Sequence, residues 1–393
     1  MHSSTSPSDS AIGVREGALP AGLRLNASHR PGQAQPVPTR DVPARPWIGM
    51  ALAALLTVIL MTGGWEAWAR SQGLRPADMD DSPQAWAQLR RQAGTARVAI
   101  VGDSRILFDT DLDRFKALTG EYPLQLSIVG STARGLLEDL ANDPSFKGLL
   151  IVGLADTSYF RPSGLGYGGM YMHSSERNGK PSQRSGLFLD RLLQPHFAFL
   201  DSVYRFSKLA IRPDHGWRKG PDSPYEDVWK ISETYPNRQY RMWPQIETNP
   251  YLQYQARHAW DYFKGPKISN HVIAAVDVHT REAVSRIRAR GGEVVFVRPP
   301  SARPIRVNED KALPRAIGWD RMLRFAHAVG VHNDDLPPQV QNLTIPEFSH
   351  LNAACATVFT DAYVRRLTQL TPRLKLRVDA PPPLTRADCV KAG

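Results

Sequence analysis

Between Pro46 and Trp65 the chain runs for twenty residues, PWIGMALAALLTVILMTGGW, without a charge. A helix rising about 1.5 Å per residue needs about twenty apolar residues to cross a hydrocarbon core of about 30 Å. Trp47 at one end, and Trp65 with Trp68 at the other, stand where interfacial aromatics belong. The preceding segment is largely Ser, Pro, Ala, Gly and Arg with almost no apolar periodicity. Such a segment does not bury enough surface to offset its ordering entropy, so residues 1–45 are expected to form a disordered tail. Arg15, Arg24, Arg30, Arg40 and Arg45 precede the run; only Arg70 and Arg75 come closely after it, offset by Glu66, Asp78, Asp80 and Asp81. That bias puts the tail in the cytoplasm and the rest of the chain outside. A buried core helix would not be uncharged all round beside a disordered tail. A cleaved signal peptide would have a shorter leading region and a better cleavage site than MTGGWEAWA. The expectation is therefore one uncleaved transmembrane anchor over residues 46–66.

Composition bounds the chain beyond the anchor. A mean hydropathy of −0.36 excludes a multi-span membrane protein, though not a single span, and 393 residues leave room for one large domain or two modest ones. Two cysteines, Cys355 and Cys389, exclude a disulfide-rich scaffold and a cysteine-built zinc site, while a single bridge between them stays open. The net charge of +11 comes mostly from Arg spread along the chain, without a dense block or a nucleic-acid-binding signature. No nucleic-acid partner is expected. A basic outer face suits anionic lipid or a polyanionic glycan.

Residues 67–95 are expected to form a stalk, with a helix over Ser82–Gln92 that uses Ser82 as N-cap and Pro83 at its first turn. From residue 96 the pattern changes. Ala96–Val101 (ARVAIV), Pro123–Val129, Leu149–Leu154 (LLIVGL) and Glu293–Val297 (EVVFV) read as strands, and ARVAIV and LLIVGL are nearly continuous apolar runs. Between and after them, Leu112–Thr119, Arg134–Asn142, His271–Arg290, Trp319–Val329 and Ala353–Leu367 read as helices. This alternation predicts an α/β domain over 96–375, a parallel sheet with crossover helices. An aromatic-rich insertion covers 157–270, and a loose tail covers 376–393.

Two loops carry candidate chemistry. Ser104, in Gly102-Asp103-Ser104, stands directly after a buried strand, where open α/β sheets bring ligands and a helix N-terminus offers amides. Read alone, it is equally a helix cap. Near the other end, Glu347-Phe348-Ser349-His350 precedes the last helix. A serine hydroxyl needs a base to lose its proton, His is matched to neutral pH, and the His needs an orienting carboxylate. His350 and Glu347 supply those groups; the alternatives are a core or capping histidine and a solvated carboxylate.

Taken in order, these blocks resemble the SGNH/GDSL hydrolase superfamily. The Gly-Asp-Ser block after the first strand matches Gly102-Asp103-Ser104. The glycine after the second strand that supplies an oxyanion amide matches Gly130, and the carboxylate-x-x-His block matches Glu347 and His350. The resemblance covers about residues 96–155 and 271–370. It implies a flavodoxin-like three-layer fold, Ser104 as nucleophile, His350 as general base, Glu347 as orienter, and the amides of Ser104 and Gly130 as the oxyanion hole. The chain departs from the family in three places. Ala155 occupies the position of an Asn that donates to the oxyanion, Glu347 replaces the usual Asp, and Arg105 comes after the serine where Leu is common. The layout of tail, anchor and Gly-Asp-Ser-Arg is similar to the alginate O-acetylation proteins and the DltD-like proteins of teichoic acid D-alanylation. That implies a bacterial inner-membrane protein with a periplasmic domain, acting on ester, chiefly acetyl, groups of an exported polysaccharide. A membrane-bound O-acyltransferase is the implied partner. The alternative is an inactive scaffold of the same fold that binds glycan or such a partner.

Other features are secondary. Arg105 and Arg298 are candidates for binding an anionic substrate, with Arg303 nearby; an ordinary surface turn is the alternative for Arg298. Tyr159, Tyr167, Tyr171, Trp217, Trp229, Trp243 and Tyr251 form either a sugar-stacking rim or the core of a subdomain. Gly164–Met170 is a lid or an ordinary connection. The histidines show no metal-binding spacing, and no GxxxxGK or GxGxxG loop occurs, so neither a metal nor a nucleotide cofactor is expected.

Overall fold

The computed structural model describes residues 46–76, 78–161, 171, 181–210, 230–258, 260 and 267–390. The chain divides into two units, Met1–Leu60 and Met61–Gly393. The described part of the first is the leading portion of helix α1 (Trp47–Ser71). Among the described residues α1 is the one helix long and apolar enough to cross a membrane, and its apolar window is fully exposed. The expected tail, 1–45, lies outside the described residues.

In the second unit the elements come in this order: α2 (Pro83–Arg90), β1 (Val98–Gly102), α3 (Ser104–Phe108), α4 (Leu112–Thr119), β2 (Leu124–Gln125), α5 (Ala133–Asn142), β3 (Leu149–Gly153), α6 (Asp156–Tyr159), α7 (Pro181–Leu193), α8 (Phe206–Leu209), β4 (Ser232–Thr234), β5 (Tyr240–Met242), α9 (Pro244–Thr248), α10 (Pro250–His258), α11 (Asn270–Ala289), β6 (Glu293–Arg298), α12 (Arg303–Ala312), α13 (Trp319–Ala326), β7 (Val329–His332) and α14 (Ala353–Leu370).

Five strands form one parallel sheet in the order β2-β1-β3-β6-β7. Successive strand residues point to opposite faces, and both faces are covered. Ala99, Val101, Leu150, Val152, Val294 and Phe296 share a core with Leu137 of α5, Val284 of α11 and Met322 of α13. Val98, Ile100, Leu149, Ile151, Val295, Val297 and Val331 share the other with Phe115 of α4 and Phe359 and Tyr363 of α14. Burial on both faces is why these strands read as continuous apolar runs rather than alternating ones. Counted along the chain, the strand order is 2-1-3-4-5, which reverses between β1 and β3; doubly wound sheets open their ligand crevice at such a reversal.

Glycine is required at the carboxyl ends of those two strands. A Cβ on Gly102 would lie 2.3 Å from Ile106 Cγ2 and 2.4 Å from the Gly153 carbonyl, and one on Gly153 would lie 2.1 Å from Ile106 Cβ. The two bare backbones let α3, which begins with Ser104, press directly onto the sheet.

Several expectations are corrected. The second strand is only Leu124–Gln125, although Leu126 and Ile128 continue to donate to the Ile100 and Gly102 carbonyls. The helix expected over Trp319–Val329 stops at Ala326, because His327 turns left-handed (φ 52°), and Val329–His332 is a fifth strand. Four residues are too few for a periodic signal to separate from the helix before them. Residues 67–95 do not stand off as a stalk. Trp86 of α2 is buried in the main core and its indole donates to the Leu126 carbonyl, while Ser82 caps the helix through the Ala85 amide. The C-terminal segment is packed rather than loose through residue 390: Cys389 is bonded to Cys355, and Ala380, Leu384 and Val390 lie against the α14 core.

In the expected insertion, β4 and β5 form a hairpin whose Arg238 (φ 59°) donates to the Gln125 and Ser127 carbonyls and pairs with Asp81. That guanidinium takes up backbone acceptors along the β2 edge and ties the linker to the sheet.

The Cys355–Cys389 bond closes a loop of 34 residues. Chain-entropy arguments give such a closure about 3–4 kcal/mol. Cys389→Ser is expected to lower the thermal midpoint by roughly 5 °C, checked by calorimetry, with dithiothreitol producing the same shift in the native chain and none in the variant.

Candidate active site

Asp103 caps α3 and joins two strand ends. Its Oδ1 accepts from the Arg105 amide at 3.0 Å and its Oδ2 from the Ala155 amide at 2.8 Å. The cap sets Ser104 at the first position of the helix, beside the reversal in strand order, half-buried with its hydroxyl directed at the C-terminal loop.

That loop is folded around its own carboxylate. Glu347 Oε1 accepts from the Ser349 amide (3.1 Å), the His350 amide (2.5 Å) and His350 Nδ1 (3.0 Å). Glu347 Oε2 accepts from the Trp260 indole at 2.7 Å. A carboxylate is acceptor-only, so His350 Nδ1 carries the proton and Nε2 is left as an acceptor, 2.8 Å from Ser104 Oγ. Phe348 adopts a left-handed backbone (φ 79°), a costly choice for a residue with a Cβ. Its carbonyl accepts from the Ala302 amide, and Arg257, bonded to the Pro346 carbonyl, lies 4.9 Å over its ring. Phe108 stacks on the His350 ring at 4.2 Å, and Leu351 donates to Asp109. Glu347, Ser349 and His350 are buried, leaving Ser104 as the more accessible member.

Electrostatics favour an ionised Glu347. Burial alone would raise its pKa, but the charge that a protonated His350 would carry and the hydrogen bonds from His350 and Trp260 outweigh burial and hold the carboxyl below its usual range. Asp103 and Asp109 move upward instead, chiefly by burial, which Arg105 and backbone donors offset only in part.

Arg105 and Arg298 were expected to reach substrate; both are instead buried in ion pairs. Arg105 Nη2 lies 2.6 Å from Glu309 Oε1, and its Nε donates to Ser349 Oγ at 3.2 Å. Arg298 Nη2 lies 2.6 Å from Glu309 Oε2, and its Nε lies 2.9 Å from Asp156. A guanidinium removed from water needs paired carboxylates, and α12 supplies Glu309 to both. The result is a ladder of charges, Arg105–Glu309–Arg298–Asp156, beneath the strand ends. It ties the residue after Ser104 to the residue before His350.

The remaining candidates are distributed differently. Gly130 (φ 67°) is exposed in the turn after β2, where Ser131 Oγ donates to the Gly102 and Ile128 carbonyls and holds the turn beside β1. Ala155 lies after β3 with its amide committed to Asp103. Tyr159 is core, with its hydroxyl paired to Thr280, and Trp243 is also buried; Tyr171 packs on Trp86, and Tyr251 is exposed. Tyr167, Trp217, Trp229 and the Gly164–Met170 loop lie outside the described residues. Among the described residues no cluster of three or more His, Cys, Asp or Glu side chains is arranged to hold a metal ion. Trp260, Phe108 and Glu309 have no motif of their own, so no sequence signal marked them as neighbours of the site.

Glu309 allows a direct test of the ladder. Burial opposes its ionisation, but Arg105 and Arg298 overcome burial and hold the carboxyl at about 2, against 4.5 unperturbed. A depressed carboxylate contributes stability that is present above the unfolded pKa and lost as pH falls toward the folded one. Glu309→Gln leaves the buried Arg105 without a carboxylate and Arg298 with Asp156 alone, and is expected to cost about 3–5 kcal/mol at pH 7. By denaturant titration, the gap between native and variant chains should narrow as pH falls from 4.5 toward about 2; an unchanged gap would show that charge is not its source. The chain matches no known protein-family model, no curated protein and no solved structure at a significant level, so the chemistry of the Ser104, His350 and Glu347 constellation is argued from its geometry.

Proposed function

We propose that this chain is a membrane-anchored, extracytoplasmic serine esterase or O-acyltransferase of SGNH/GDSL type, acting on ester groups, chiefly acetyl, of a cell-surface or exported polysaccharide. The observation that carries the reading is the continuous hydrogen-bonded relay from Ser104 Oγ through His350 to Glu347, at 2.8 and 3.0 Å. In the first half-reaction Ser104 Oγ attacks the acyl carbonyl and its proton passes to His350 Nε2. Glu347 holds the ring and stabilises the imidazolium. His350 then gives the proton to the leaving alkoxide, and the acyl group stays on Ser104. In the second half, a sugar hydroxyl or water gives its proton to His350 as it attacks the acyl-serine, the acyl–Oγ bond breaks, and His350 returns the proton to Ser104 Oγ.

The amides of Ser104 and Gly130 stabilise the oxyanion. At Ala155 no side chain donates and the backbone amide is already bonded to Asp103. Loss of one oxyanion donor costs about 10²–10³ in rate, so the expected turnover is modest. The apolar helix Trp47–Ser71 supports the anchor, with the Arg-rich tail in the cytoplasm of a bacterial cell and the domain in the periplasm. The Cys355–Cys389 bond suits that oxidising compartment. The acyl donor side is assigned to a membrane-bound O-acyltransferase.

The commitment of the Ala155 amide also favours a second reading, an inactive scaffold of the same fold that binds glycan or a membrane partner. A fluorophosphonate probe with intact-mass readout separates the two. The enzyme reading expects a single adduct on the native chain and none on Ser104→Ala. Glu347→Gln, which disturbs the His350 tautomer, should slow labelling by about 10³–10⁴. A folded native chain that takes no adduct but binds polysaccharide would favour the scaffold.

A further inference from the structure

Helix α7 buries Leu187 but turns Phe188, Leu189, Leu192 and Leu193 outward, at 67, 50, 54 and 39 % exposure. Their i, i+1, i+4, i+5 spacing gathers them on one face. A soluble domain normally turns such a face inward. Just beyond, Phe197 is 37 % exposed, and Phe206 of α8 is 68 % exposed; α8 is joined to α7 by the Arg205–Asp190 ion pair at 3.5 Å. Contiguous exposed apolar surface of this kind marks an interaction site.

The point of attachment indicates the occupant. Glu66, the first charged residue after the uncharged run, accepts the Ala198 and Phe199 amides, each at 3.1 Å. Trp65, the last residue of the run, packs on Phe199 at 6.1 Å and on Phe206 at 5.7 Å. The segment that joins α7 to α8 is thus fastened at Ala198 and Phe199, and the patch itself at Phe206, to the residues at which the apolar run ends. If that run spans a bilayer, its end lies at the headgroup boundary, and surface joined to residues 65 and 66 lies there too. Arg191 and Lys208, both exposed, flank the apolar side chains with the charge that suits anionic headgroups.

We propose that the α7–α8 face is a lipid-binding surface that lies in the bilayer interface beside the end of α1. The proposal rests on reading α1 as the anchor. It has a consequence for the site. Phe108, which stacks on His350, belongs to the same small core as Ala69 of α1 and Ala198, which is buried in the segment between α7 and α8. A domain lying on this face carries the Ser104 site close to the membrane, where acyl groups or acceptors held by lipid are delivered.

The test uses the full chain in vesicles of phosphatidylethanolamine and phosphatidylglycerol. Both native cysteines are bonded to each other, so single variants Phe188→Cys, Phe206→Cys, Leu56→Cys and Val378→Cys each carry one free thiol for a bimane label. All four positions are exposed, and an unchanged thermal midpoint verifies each fold. With lipids spin-labelled at shallow depth, bimane at 188 and 206 should lose at least half its emission relative to 378. Bimane at 56 should respond to deep labels. Quenching at 56 with 188 and 206 behaving like 378 overturns the lipid surface and leaves the anchor standing. The same holds if 188 and 206 are shielded from aqueous iodide but not quenched by lipid, since a protein then covers the face. Quenching at 188 and 206 without quenching at 56 keeps the lipid surface and removes the anchor; quenching at none removes both.

Discussion

Glu309 carries two buried guanidiniums at once, and the positions of Ser104 and of the C-terminal loop depend on that. Arg105 comes from the helix after β1, Arg298 from the end of β6, and Asp156 from the helix after β3. Three strand ends are therefore held in register by charge as well as by the sheet. Through Ser349 the ladder also reaches the C-terminal loop. None of these charges is stable alone in the interior. Each is tolerated because the others are present, so the geometry beside Ser104 is set by an all-or-none arrangement.

Above the ladder, a second buried carboxylate acts locally. Glu347 gathers two backbone amides, an imidazole and an indole, and in doing so forces Phe348 into a left-handed backbone. The strain is held by the Arg257 and Ala302 contacts on Phe348, and its effect is to fix the tautomer and direction of His350. Phe108 closes the other side of the ring. A histidine stacked on one face by Phe108 and held at Nδ1 by Glu347 has little freedom to turn, which keeps Nε2 directed at Ser104. The hydrogen-bonded chain from Ser104 to Glu347 is thus preorganised, as the proposed acyl chemistry would require.

The main sheet was largely legible in the sequence. VAIVG, LLIVG and EVVFV carry their burial in consecutive apolar residues, and the helices read between them are long enough for crossovers. Legibility failed where the signal was short or nonlocal. Val329–His332 is a strand because β6 offers it a free edge, not because four residues declare one. Trp86 and the C-terminal segment looked like stalk and tail because their partners, the Leu126 carbonyl and Cys355, are remote in sequence. Arg105 and Arg298 read as candidates for binding an anionic substrate because the carboxylates that neutralise them lie on other elements.

By itself the sequence determined what depends on neighbouring residues: an uncharged run of membrane-spanning length, buried strands, helix caps, and a Ser block and a Glu-x-x-His block at loop positions. Each rests on periodicity or on side-chain chemistry within a few residues. The tertiary structure alone decided which charges pair, that Trp260 reaches Glu347 from 87 residues away, and that an apolar face is fastened to the end of α1. Those outcomes depend on which strand ends the sheet order brings together, and that order is a property of the packed chain rather than of any segment of it.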